Sequence, residues 1–192
     1  ALLGGGQVKC WGGNFFGQLG LGDSQNRGGG AGQMGDALPA VDLGTGRTAT
    51  AVSTGGGHTC ALLAGGDVKC WGAGGALGLG DTLPRGSGPG EMGDALPTVD
   101  LGTGRSATAI STGADFTCAL LDDGSVKCWG ENRFGQLGLG DTDDRGVGPG
   151  EMGDALPAVD LGAGRTATAV TAGDLGACAR LDDGTVKCWG DN

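Results

Sequence analysis

The stretch HTCALLAGGDVKCWG, residues 58–72, decides how this chain is read. Two short runs of apolar and β-branched residues flank Ala64-Gly65-Gly66. The same arrangement returns as Thr117–Leu121 and Ser125–Trp129 around Asp122-Asp123-Gly124, and Asp182-Asp183-Gly184 fills the slot a third time. A three-residue loop ending in Gly suits a type I turn plus a bulge, with the Gly in the left-handed conformation. Each copy is therefore expected to be an antiparallel β-hairpin.

Cysteines sit ten positions apart across these turns, as Cys60/Cys70, Cys118/Cys128 and Cys178/Cys188. If Leu121 faces Ser125 as the hydrogen-bonded closing pair, Cys118 lies opposite Cys128 in a non-hydrogen-bonded pair. Cα atoms there approach to about 4.5 Å, which is within disulfide reach. Each staple closes a loop of roughly ten residues and is expected to contribute about 2–3 kcal/mol. The rival readings are buried free thiols and a metal site. Zinc knuckles place only two to four residues between cysteines, whereas nine separate each pair here and no His recurs nearby. Disulfides imply an oxidising place: the extracellular medium, a cell surface or the periplasm. Cys10 is the odd one. Its partner slot is the position before Ala1, so its unpaired state is expected to reflect truncation of a longer chain.

Working outward, Trp11, Trp71, Trp129 and Trp189 are separated by 60, 58 and 60 residues. Around them VKCWG, LGLGD, MGDALP and VDLG return in the same order. The repeat array divides into units 1–60, 61–118 and 119–178, with the opening of a fourth at 179–192. The middle unit lacks two residues after its Trp, which marks that segment as a loop. Thr48–Thr54, Ser106–Thr112 and Thr166–Ala172 alternate small and β-branched residues, as half-buried strands do. A fourth strand per unit is expected at the LP-x-VDL stretch, as in Leu156–Leu161, with Pro157 confining it to an edge or a strand start. No stretch sustains a helical period. The expected fold is all-β: about three blades of a β-propeller, each a four-stranded antiparallel sheet.

Composition agrees with many tight turns. Gly supplies 47 residues, Tyr is absent and aromatic residues make up only 4%. The net charge of −10 repels phosphate backbones and anionic membranes. No nucleic-acid partner and no membrane insertion are expected, and no apolar run has the length to cross a bilayer.

The segment after each VKCWG, such as Gly130–Ala155, is long for a connection. Its expected role is packing between blades, with a binding rim as the functional alternative. It carries Asp141, Asp143, Asp144, Glu151 and Asp154 in the third unit, and Asp81, Glu91 and Asp94 in the second. Acidic Gly-rich loops can supply the six to eight oxygens of calcium. Yet Gln33 replaces Glu in the first unit, and ion pairs with Arg27, Arg85 and Arg145 are the favoured reading. Arg47, Arg105 and Arg165 are expected to pair with Asp42, Asp100 and Asp160. Asn14/Gln18 and Asn132/Gln136 are expected to satisfy turn backbone groups, and the four Trp to anchor blade packing. His58 is the only histidine, with Phe116 and Gly176 in its slot elsewhere. A lone Ser or Cys therefore has no evident base, and no catalytic residue, cofactor or metal is assigned.

HTCALLAGGDVKCWG at 58–72, together with the N-x-x-GQLGLGD run ending at 141, resembles the repeats of the regulator of chromosome condensation family. The match recurs in every unit, and the Cys-paired, Gly-rich form is similar to secreted bacterial members. The resemblance implies a seven-bladed propeller of four-stranded blades, so three units would be a fragment of a ring. Members include guanine-nucleotide exchange factors, ultraviolet photoreceptors and an inhibitor of β-lactamase. The exchange loops and the clustered tryptophans of the first two find no counterpart here. The resemblance implies the fold and a habit of binding proteins. The expected function is a non-enzymatic extracellular protein-binding or surface scaffold. The alternatives are a subunit that assembles with its own copies into a ring or filament, and a calcium-dependent adhesion module.

Overall fold

A computed structural model describes residues 1–191. Nine strands form three sheets: β1 (Ala49–Thr54), β2 (His58–Leu63) and β3 (Val68–Gly72); β4 (Ala107–Thr112), β5 (Phe116–Leu121) and β6 (Val126–Gly130); β7 (Ala167–Ala172), β8 (Gly176–Leu181) and β9 (Val186–Gly190). Each sheet is an antiparallel meander in chain order. No α-helix occurs among the described residues, and no helix is long and apolar enough to cross a membrane.

Turn chemistry sets the hairpins. Leu121 N–H donates to the Ser125 carbonyl at 2.9 Å, and Gly124 takes φ 79°, the left-handed value that the closing bulge requires. The register then places Cys60 opposite Cys70, Cys118 opposite Cys128 and Cys178 opposite Cys188. All three pairs are disulfides, with Cα–Cα distances of 4.1, 4.1 and 4.0 Å. An N-terminal hairpin repeats the pattern in part. Leu2 bridges Val8 across Gly4-Gly5-Gly6, and Cys10 is a buried free thiol.

The apolar layers lie between successive sheets. Ala61 and Leu63 of β2 join Val8, Leu19 and Trp71 in one layer, while Cys60 and Leu62 face the next, with Leu77, Val99 and Trp129. Successive side chains of a strand point to opposite faces. With both faces covered, the middle strand reads as an unbroken apolar run rather than an alternating one. The first strands of the three sheets stand side by side, linked where Ser53 Oγ meets Thr112 Oγ1 at 2.8 Å and Ala172 N–H donates to Ser111 Oγ at 2.8 Å.

The expectation of four strands per unit is corrected to three. Leu156–Leu161 lies along β6 but gives it one bond, from Val159 N–H to the Val126 carbonyl at 2.8 Å. Pro157 has no N–H to donate, and Leu156, Val159 and Leu161 all turn inward at a spacing that is not that of a strand. Val41 and Val99 make the same single bond to Val8 and Val68.

Candidate functional site

The long segment after each VKCWG folds back on its own strand, through paired bonds between Gly12 and Arg27, Gly72 and Arg85, and Gly130 and Arg145. The resulting rim loops seal the joint to the next sheet. Trp71 Nε1 donates to the Gln18 carbonyl at 3.0 Å, Trp129 Nε1 to the Ala76 carbonyl at 3.1 Å, and Trp189 Nε1 to the Gln136 carbonyl at 3.0 Å. Trp71 and Trp129 are fully buried, as anchors should be, whereas Trp11 is 50% exposed. Each indole lies so close to the preceding loop that only Gly fits: a Cβ at Gly20 would come 2.7 Å from Trp71 Nε1.

Asn132 organises its loop as expected. Its Oδ1 accepts from Leu137 N–H at 2.9 Å, and its Nδ2 donates to the carbonyls of Asp141 and Asp143 at 3.1 and 3.0 Å. Asn14 does the same in the first unit, while Gln18 and Gln136 accept from the N–H groups of Phe16 and Phe134. Arg27, Arg85 and Arg145 pair with Asp23, Asp81 and Asp141 at 2.5, 2.7 and 2.7 Å.

Arg47, Arg105 and Arg165 do not reach Asp42, Asp100 and Asp160. They pair instead with carboxylates of the hairpin turns: Asp67 for Arg47, Asp123 at 2.8 Å for Arg105, and Asp183 at 3.0 Å for Arg165. The cause is register. Asp122 N–H donates to the Ser106 carbonyl, which sets the turn beside the start of the first strand. Asp42, Asp100 and Asp160 accept from the N–H two residues on, at Gly44, Gly102 and Gly162.

The calcium candidates are not brought together. Asp141 holds Arg145, Asp144 accepts from Asn132 N–H at 2.8 Å, and Glu151 caps the N–H groups of Val147 and Gly148 at 2.9 and 2.8 Å. Asp154 reaches into the preceding unit, where it accepts from Thr103 N–H at 2.8 Å and Thr103 Oγ1 at 2.5 Å. Those bonds hold its carboxyl below the usual range. Asp143 stands exposed. Among the described residues no cluster of three or more His, Cys, Asp or Glu is placed to hold a metal. Gln33 caps Gly28 and Gly30 N–H as Glu151 caps its own loop, so the amide replaces the carboxylate without loss of the bonds.

His58 is buried, with Nε2 on Thr117 Oγ1 at 2.8 Å and Nδ1 without a hydrogen-bond partner. Desolvation pushes its pKa down to about 4, so the ring stays neutral.

One recurring group escaped the sequence reading, the lysine of VKCWG. Lys69 Nζ donates to the carbonyls of Leu43 and Gly93 at 3.0 and 2.7 Å, and Lys127 Nζ to those of Leu101 and Gly153 at 3.1 and 2.8 Å. Burial lowers the pKa of Lys69. The available signal was a charged residue repeated between apolar neighbours. Aromatic side chains are among those left exposed on the rim loops. Of four Phe, only Phe116 is buried; Phe15 is 80% exposed, and Phe16 and Phe134 stand out on the equivalent turn.

Comparison with known proteins places this architecture. The regulator of chromosome condensation (RCC1) repeat matches residues 5–62 and 123–178, and a second model of the same repeat matches 49–76, 107–136 and 167–192. The E3 ubiquitin-protein ligase HERC2 of Homo sapiens is 30% identical over 143 residues, covering 71% of this chain and 3% of that protein. The structure of human WBSCR16 superposes with a TM-score of 0.68 at 19% identity, over 98% of this chain and 44% of the other. That of yeast RCC1 (Prp20) bound to Kap60 gives 0.64 at 19%, over 96% and 40%. The chain thus spans less than half of each of these proteins, and its three sheets have the form of their propeller blades. It belongs to the regulator of chromosome condensation (RCC1) repeat family.

Proposed function

We propose that this chain is part of a non-enzymatic protein-binding propeller that works in an oxidising compartment: outside the cell, at its surface or in the periplasm. Its repeats are read as 1–60, 61–118 and 119–178, with 179–192 opening a fourth, and the rim loops are the contact face. One observation carries this reading. Most polar groups of the loops are spent on one another, while the rings of Phe15, Phe16 and Phe134 keep part or most of their surface in water from equivalent turns. Exposed aromatics that the core does not need are the usual anchors of protein interfaces. The yeast relative bound to Kap60 supports a propeller of this family as a protein binder. Three disulfides support the oxidising setting.

The test is selection of a random-peptide display library on the immobilised chain, with binders mapped by hydrogen exchange. Binders are expected to protect the rim loops and to lose at least tenfold in affinity when Phe15, Phe16 and Phe134 are changed together to Ala. No enriched peptide, or protection confined to the sheets, would overturn the reading. Assembly with other copies is the alternative reading. Native mass spectrometry across concentration separates the two, since only the second predicts higher oligomers.

A further inference from the structure

The three units are near copies, so the place where two joints differ is informative. In the first joint the ring of Phe16 covers the next sheet. A Cβ at Gly57 would lie 3.3 Å from Phe16 Cδ2 and 3.2 Å from the Ala73 Cβ. In the second joint the two-residue deletion leaves Gly74-Gly75 where Asn14–Gly17 stand, and no aromatic side chain is present. The backbone frame is unchanged: Ala73 N–H donates to the Gly57 carbonyl at 2.9 Å, and Glu131 N–H to the Asp115 carbonyl at 2.9 Å. The side chains beneath the missing ring are not. Gly57 and Ala73 correspond to Asp115 and Glu131.

The result is an open cleft of about 340 Å³, lined by Gly75, Thr82, Asp115, Glu131, Asp144 and Val147 among others. Asp144 spends one oxygen on Asn132 N–H, and Arg133 reaches Glu131 from the outside at 3.2 Å. Among the described residues no hydrogen bond or ion pair engages the Asp115 carboxylate, and Asp115 is exposed. Ala73, Ala76 and Val147 supply its apolar lining, and in sequence the exposed Leu83 and Phe134 adjoin Thr82 and Arg133.

We propose that this cleft receives a lysine or arginine side chain carried by a partner protein on an apolar stretch. The inference rests on the protein-binding reading above and names the chemistry that the rim selects. A basic side chain lays its aliphatic stem along apolar walls while its head meets carboxylates. Three carboxylates at one mouth exclude an acidic partner at that point. The joint filled by Phe16 offers neither the space nor the charge.

The chain is titrated with the blocked tripeptide acetyl-Leu-Arg-Leu-amide and followed by amide chemical shifts. Its analogue with norleucine in place of arginine is the control. Saturable shifts are expected at Asp115, Glu131 and Val147 with the arginine peptide, and at least tenfold weaker binding with the control. Asp115→Gly with Glu131→Ala, which restores the residues of the first joint, is expected to remove the preference. Grafting Asn-Phe-Phe-Gly in place of Gly74-Gly75 should close the cleft, and an unshifted spectrum elsewhere verifies the fold of both variants. Equal shifts from the two peptides, or none at tens of millimolar, would overturn the proposal. If library binders protect the rim but carry no basic residue, this proposal falls and the protein-binding reading stands. If the library yields no binder while the arginine peptide still titrates, the preference of the cleft for a basic side chain stands, and the protein-binding reading falls together with delivery of that side chain by a partner protein.

Discussion

β5–β6 and β8–β9 contain the same VKCWG strand in the same register, yet they live in different surroundings. Val126, Lys127, Cys128, Trp129 and Gly130 are all buried, whereas Val186, Lys187 and Cys188 are exposed. Val126 is 0% exposed and Val186 60%. The strand does not bury itself. Segments distant along the chain cover it: Leu156–Leu161 and the 3-10 turn Gly153–Ala155 of the same unit lie over the outer strand, and Lys127 Nζ is held between the carbonyls of Leu101 and Gly153. Stability in such an array is a sum of unit terms and nearest-neighbour interfaces, and the comparison separates the two.

Trp129→Ala against Trp189→Ala is the largest contrast. Loss of a fully enclosed indole is expected to cost about 3–5 kcal/mol, and loss of the half-covered Trp189 less than half as much. Urea unfolding measures both, and equal costs would break the idea that the segments packed over the strand supply the burial.

The disulfides come next. Each closes a ring of the same length, since the sequence separation is 10 in all three. Each should therefore contribute a similar 2–3 kcal/mol or so. Access distinguishes them, because Cys60, Cys70, Cys118 and Cys128 are wholly buried while Cys188 is exposed. Under mild dithiothreitol in native buffer, Cys178–Cys188 is expected to open first, and alkylation with mass mapping reads the order. Simultaneous opening would show that the second and third sheets do not differ in local stability.

The smallest effect is pH-dependent. His58 is neutral when folded, with a pKa of about 4 against an ordinary 6.5. Between those values the unfolded chain binds the extra proton, so the stability from a neutral His58 is complete above about pH 6.5 and declines as pH falls towards 4. His58→Phe copies the second unit's Phe116 and removes that slope. Wild type is expected to lose about 1 kcal/mol more than the variant between pH 7.5 and 5.5. Parallel stability curves would mean that the ring is not buried neutral.

Much of this was legible in the chain. Hairpins were readable because Gly at the third loop position, with cysteines spaced evenly about it, leaves one register. The five strands whose limits were expected from sequence fall within a residue of them, and Asn132 acts as a turn residue would. The supposed fourth strand failed because LP-x-VDL has the composition of a strand, while Pro157 and the inward turn of Val159 leave a single bond. The partners of Arg105 and Arg165 were misread for a related reason. Distance along the chain favoured Asp100 and Asp160, but the sheet carries the hairpin turn closer.

By itself, then, the amino-acid order determined the hairpin, its sulfur staples and the sixty-residue period, because these are local: turn geometry and alternation act within a dozen residues. Tertiary structure decided which of the three VKCWG strands is enclosed and where Lys69 and Lys127 find their carbonyls, whereas the open joint beside Asp115 follows from the two-residue deletion and from Asp115 and Glu131 standing in place of Gly57 and Ala73. Enclosure and the lysine contacts depend on which distant segments pack over the strand, and an identical pentapeptide cannot encode a difference between its own copies.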